Sequence, residues 1–142
     1  MKFEFSLKSV LKVRKHEEQL QKQKLAEKLS EKKDLKAKKE NLQQKIEKHI
    51  NENSNDDFMN LHDLQRKQQY INDLYEKVKR VNNSLATIRK AVDRQRNKLA
   101  DVHKKRHIME KIREEEREVF LEEVSKKERK VMDEVATQTF SN

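Results

Sequence analysis

The segment Ile71-Asn-Asp-Leu74-Tyr-Glu-Lys-Val78-Lys-Arg-Val81-Asn-Asn-Ser-Leu85-Ala-Thr-Ile88-Arg-Lys-Ala-Val92 sets an apolar residue at alternating steps of three and four. Leu64 lies one heptad upstream, and Leu99, Val102 and Met109 carry the pattern on, with only Gln95 and Arg106 interrupting. Two rows result. Ile71, Val78, Leu85, Val92, Leu99 and Arg106 form one, and Leu74, Val81, Ile88, Gln95, Val102 and Met109 the other. An average step of 3.5 keeps one seam turned toward a partner helix, which is the signature of a left-handed coiled coil.

The N-terminal stretch supplies a partner of weaker pattern. Phe3, Leu7, Val10 and Leu11 open it, and Leu25, Leu29, Leu35, Leu42, Ile46 and Ile50 close it, while Arg14, Glu18 and Gln21 occupy the seam between. Such a helix is marginal alone, so its apolar stripe requires another stripe to cover it. Periodicity stops at Asn51-Glu-Asn-Ser-Asn-Asp-Asp57, whose short polar side chains favour turns and caps over helix interiors. The reading is therefore all-α. It consists of a single antiparallel coiled-coil hairpin over residues 1–142, with helix 1 at about 3–51, a turn at about 52–57 and helix 2 at about 57–138.

Arms of ~70 Å and ~120 Å follow from a rise of about 1.5 Å per residue. A reversal near residue 55 pairs position i with about 110 minus i, leaving about 30 C-terminal residues as a helical overhang. In that register Arg14 and Glu18 approach Gln95, and Glu4 approaches Arg106. Gln95 then fixes the alignment, because a slipped register would set polar seam residues against hydrocarbon.

Composition removes most alternatives. The 142 residues include no Gly, Pro, Cys or Trp, 43% are charged and 32% hydrophobic. Nucleotide-binding α/β folds and hairpin-built sandwiches need glycine turns that this chain lacks. Disulfide frameworks, zinc ribbons and thiol catalysis need cysteine. No run approaches the ~20 apolar residues that cross a bilayer, and residues 1–11 lack the apolar stretch of a signal peptide, so a cytoplasmic protein without membrane insertion is expected.

Net charge is +9, with basic arms, an acidic turn and an acidic tail, which suits an acidic partner. Nucleic acid is one such partner, but the less favoured reading. The densest basic block, Lys32 to Lys39, encloses the seam residue Leu35 inside the paired arm, and two Tyr offer little stacking. His103, His107 and Glu110 share a helical face at i, i+4 and i+7, but no fourth ligand accompanies them and they read as a solvated face. Two helices form no desolvated pocket, so neither catalysis nor a cofactor is expected.

Beyond the heptads, Ile112, Phe120, Val124, Val131 and Val135 form a narrow apolar stripe after a slip of phase, supported by Glu122–Lys126 and Glu123–Lys127 spacings. A helix that sets these residues in solvent calls for a partner.

Three short patterns then resemble one family. These are Phe3-x-Phe5-x-Leu7-x-x-Val10-Leu11-x-x-Arg14, Gln68-Gln69-Tyr70-Ile71 after the turn, and Lys130-Val131-Met132-Asp133-Glu134-x-Ala136. Their order and spacing resemble the flagellar export protein FliJ over essentially the whole chain. The resemblance implies a non-enzymatic component of the flagellar type III secretion apparatus, shaped like the central stalk of rotary ATPases and peripheral at the cytoplasmic face of the membrane. It implies three partners: the hexameric export ATPase, the membrane protein of the export gate, and export chaperones. Mapped residue by residue, the ring-facing set is Phe3, Phe5, Leu7, Leu11, Arg14, Phe120, Val124, Val131, Asp133 and Glu134. Tyr70 and Leu74 are the gate-facing pair. The competing readings are a generic coiled coil that oligomerises through its tail and, behind it, a basic nucleic-acid binder.

Overall fold

A computed structural model describes residues 2–53 and 60–140. Helix α1 is Lys8–Asn53 and helix α2 is Leu61–Phe140, and the two pack against each other as an all-α hairpin. No glycine or proline interrupts either helix, and Leu, Lys, Glu, Gln and Arg dominate both, all of them good helix formers.

The two N-termini are capped by different means. At α2, the Asn60 side chain accepts the Asp63 N–H at 2.8 Å and its carbonyl accepts the Leu64 N–H at 3.1 Å, with Asp63 adding favourable charge to the first turn. The first turn of α1 holds no acid. Just ahead of it the chain is held by a carboxylate of the other helix: Ser6 donates to Glu116 through its hydroxyl at 2.7 Å and its N–H at 3.4 Å.

This anchoring explains why α1 starts at Lys8 and not at residue 3 as expected. The polar groups of Ser6 are bonded to α2 instead of entering a helical turn, while Phe5 turns inward and its carbonyl accepts the Lys8 N–H at 3.2 Å. Of the expected turn at 52–57, Glu52 and Asn53 are helical and 54–57 lie outside the described residues. The expected start of helix 2 at 57 lies outside them too. Helix 2 runs two residues further than expected, to Phe140.

Burial follows the heptads. Every α2 seam position from Ile71 to Met109 is buried or half-buried, Gln95 and Arg106 included. On α1 the covered residues also alternate by three and four, from Leu11 through Glu18, Leu25, Lys32 and Lys39 to His49, with Glu17 the one addition. The helix 1 seam is thus regular in spacing but half polar. Leu29 and Ile50, expected on it, are 37% and 47% exposed, whereas Lys28, Lys32 and Lys39 take seam places. A lysine can lay its methylene stem along the seam and keep its ammonium in water, so a covered position need not carry an apolar residue.

The chain divides into two compact units. In the unit Lys22–Asn97 the core is Leu42, Ile46, Leu74, Val81, Leu85, Ile88 and Val92, with Leu25, Leu35, Val78 and Ala91 packed against it. In the unit formed by Met1–Gln21 and Lys98–Asn142 the seam centres on charge. The Glu18 carboxylate, 5% exposed, receives the Arg106 Nε–H and meets His103 Nδ1 at 3.2 Å. Arg106 also reaches Glu110 at 2.8 Å. The hydrogen bond to Glu18 raises the Arg106 pKa above its ordinary value; desolvation opposes this, and Glu110 adds to the rise.

These contacts correct the register. Cross-helix partners in this unit, from Phe3 with Phe120 to Glu18 with Arg106, have numbers that add to 121–125, and His49 with Tyr70 in the other unit to 119, against the expected 110. The midpoint estimate put the reversal too early, since α1 continues to Asn53 and α2 starts only at Leu61. Glu18 meets Arg106 and His103, Arg14 bonds Glu17 within its own helix at 3.2 Å, and the place foreseen for Glu4 beside Arg106 is taken by Glu18 and Glu110. The overhang starts near Phe120, about ten residues later than expected.

Two outcomes follow. R106A removes the arginine that faces the buried Glu18 carboxylate and should lower the thermal midpoint by roughly 5–10 °C, whereas E18L/R106L should melt at or above wild type. N60A should cost about 1 kcal/mol in urea unfolding through loss of the α2 cap.

Candidate partner-binding surfaces

In the unit Met1–Gln21 with Lys98–Asn142, the anchoring of Ser6 by Glu116 brings Phe3 over α2, where its ring packs on Phe120 with centroids 5.5 Å apart and planes tilted by 49°. Such tilted aromatic pairs contribute about 0.5–1.5 kcal/mol beyond their area. From Met109 onward the covered α2 positions change to Ile112, Glu116, Phe120 and Val124, three steps of four. Each such step turns the stripe by about 40° around a 3.6-residue helix. The last contacts with the N-terminal segment thus leave the heptad line, and this is the physical content of the phase slip.

The ten ring-facing candidates separate into inner and outer groups. Phe5 and Leu11 are buried at 7% and 5% and form the core of this unit. Phe3, Phe120, Val124 and Arg14 are half-buried, and Leu7 is just exposed. Val131, Asp133 and Glu134 stand in solvent on the last turns of α2, with Val131 at 58%. The structure thus joins Phe3 to Phe120 and leaves the Val131 group apart from them. Thr137 and Thr139 return their hydroxyls to the carbonyls of Asp133 and Val135 at 2.8 Å, so these turns stay helical.

Two hollows flank this aromatic pair. One is floored by Ile112, Val119 and Phe120 and rimmed by Glu4, Glu115 and Glu123. The other lies around Phe5 and Leu11 and is rimmed by Lys8, Lys12, Lys15 and Arg113. A partner therefore meets opposite charge on the two sides.

Sequence reasoning missed Met132 and Phe140, which are 72% and 89% exposed. Met132 lies within a quoted motif and continues the four-residue steps from Val124 through Glu128, so extending that stripe would have found it; Phe140 falls beyond the expected helix end, and a longer helix assignment would have found it.

In the unit Lys22–Asn97 the gate-facing pair divides. Leu74 is 2% exposed and belongs to the seam core, so a partner reaches it only by parting the helices. Tyr70 is 44% exposed and its ring stands edge-on to His49 at 4.8 Å. Leu61 and Leu64, at 75% and 54%, present more apolar surface nearby than either candidate.

The three residues weighed as metal ligands are otherwise engaged. His103 faces Glu18 and Arg106, Glu110 binds Arg106 and Lys15, and His107 stacks on His103 at 6.5 Å. Among the described residues no group of three or more His, Cys, Asp or Glu is placed to hold a metal ion, and no helix is long and apolar enough to cross a membrane. What the arrangement offers is surface: an aromatic end, a bare apolar helix beyond it, and a tyrosine beside the turn.

Comparison with known proteins gives one result for this surface. The family model described as flagellar FliJ protein matches residues 2–142. Neither curated proteins nor solved structures return a significant match. With the match spanning every described residue of the hairpin, the chain belongs to the flagellar FliJ family, a non-catalytic component of flagellar type III protein export.

Proposed function

We propose that the chain acts as a stalk-like subunit that promotes assembly and ATP hydrolysis of the hexameric export ATPase ring. It also links the ring to the export gate and to chaperone-borne substrates at the cytoplasmic face of the membrane. One observation carries the reading. Past the Phe3–Phe120 contact α2 remains helical to Phe140 while Val131, Met132, Val135 and Phe140 are each more than half exposed. Covering three such side chains is worth about 1.5–3 kcal/mol each, so a helix that leaves them in water gains most by entering a partner. The axis of a ring surrounds a helix on all sides, and this suits residues on opposite sides of it, as Val131 and Phe140 are at nine positions apart.

The second surface supports the gate contact. Tyr70 is held by His49 yet open to solvent, and an amphipathic ring of this kind is favoured at protein interfaces. Leu74 contributes behind it by fixing the seam on which Tyr70 stands.

The test is steady-state ATP hydrolysis by the purified flagellar export ATPase with and without this chain. V131Q/V135Q/F140Q keeps helix-compatible residues and removes the apolar contacts, so stimulation should require about tenfold more protein or disappear, with the helical circular dichroism unchanged. Full stimulation by that variant rules the reading out. Sedimentation of the chain alone separates the alternative, a self-associating coiled coil, which would show a concentration-dependent dimer that the variant abolishes.

A further inference from the structure

In the heptad frame that burial defines, the row beside the seam on each helix is the e position, and in an antiparallel pair the two e rows face each other along one flank. Such rows ordinarily carry opposite charges. The unit Met1–Gln21 with Lys98–Asn142 does this: Lys15 and Glu110, both at e, meet at 3.8 Å.

The unit Lys22–Asn97 departs from that rule. Its e positions include Lys36, Arg89 and Arg96, interleaved with Leu29, Ile50 and Tyr75. The other e positions hold Gln, Asn or Lys, and none holds Asp or Glu. The three apolar residues are 37%, 47% and 52% exposed, and the three cations are exposed as well. No ion pair between described residues engages Lys36, Arg89 or Arg96. Cations on both helices with no anion in the row leave a positive field along the flank, exposed Arg and Tyr are residue types that binding surfaces concentrate, and the exposed aliphatics between them supply apolar area to cover.

We propose that this flank docks an acidic amphipathic helix of a partner protein, laid along the hairpin as a third strand. The period identifies the occupant. Leu29, Lys36 and Ile50, and likewise Tyr75, Arg89 and Arg96, are separated by multiples of seven, so a partner must repeat its own apolar and acidic residues in heptads to meet all of them. A helix does so; an extended peptide or a phosphate backbone has a different repeat. A polyanion would also bury Leu29 and Ile50 without return, and a single tyrosine gives little base stacking. A second copy of the chain is disfavoured because part of its acid-rich stretch is already engaged. Glu116 is bound to Ser6 and Phe120 to Phe3.

The experiment uses the full chain and a labelled three-heptad peptide helix with Leu at a and d and Glu at e and g, read by fluorescence anisotropy at low and moderate salt. The wild type should bind, and K36E/R89E/R96E should weaken binding by about tenfold or more, because it reverses the charges that face the peptide. K38E/R80E/R94E makes the same change of net charge off the flank and should shift affinity less than about threefold. L29Q/Y75Q, which leaves charge intact, should also lose binding. Circular dichroism melting establishes that each variant is folded. Any one of four results overturns the proposal: no binding by the wild type; equal loss in both triple variants; tighter binding of phosphatidylserine vesicles or random duplex RNA that the flank variant alone abolishes; or a change in sedimentation of the chain by itself in that variant, which would identify a second copy as the occupant.

Discussion

Everything in this hairpin depends on a seam whose two sides are unequal. From Ile71 to Val92 every seam residue of α2 is aliphatic, while α1 offers Lys28, Lys32 and Lys39 among its leucines. Hydrophobic burial is non-directional, so this seam alone would tolerate sliding by a heptad. The buried Glu18 carboxylate removes that freedom, because only one alignment brings Arg106 and His103 to it. The apolar half of the seam supplies association, and the ionic layer supplies the register.

That division has a functional consequence. Once the register is set, Ser6 reaches Glu116 and Phe3 reaches Phe120, and every turn of α2 beyond Val124 is left exposed. The exposed helix is thus a product of unequal arm lengths, and the alignment sets where it begins. Family membership places the chain in flagellar protein export, and the surfaces left open fit a subunit that works through contacts and not through chemistry.

Two of the named site residues show why a motif must be read together with burial. Leu74 and Tyr70 stand four positions apart in one short motif-bearing stretch, yet one is core and the other surface. Leu11 and Val131 differ in the same way. A substitution at the first of each pair disturbs the core, whereas at the second it changes only exposed surface. The unbalanced flank of Lys36, Arg89 and Arg96 was invisible in net charge, because the acids on neighbouring rows of the same helices mask it. It emerges only when the heptad frame of both helices is known.

By itself the sequence determined the fold class, the α2 seam residue by residue, and the presence of two helices joined near the fifties. The absence of Gly and Pro leaves nothing to break a long helix, and a 3.5-residue apolar repeat makes it helical and paired. The structure decided the register, the polar membership of the α1 seam, and the start of α1 at Lys8. Each of these depends on a residue from the opposite helix. Glu18 is acceptable in the seam only with Arg106 beside it, and Ser6 leaves the helix only because Glu116 receives it. Periodicity along one chain reports which face is covered. It carries no information about which turn of the other helix does the covering, since every heptad offers a similar apolar surface and only the few polar contacts tell them apart.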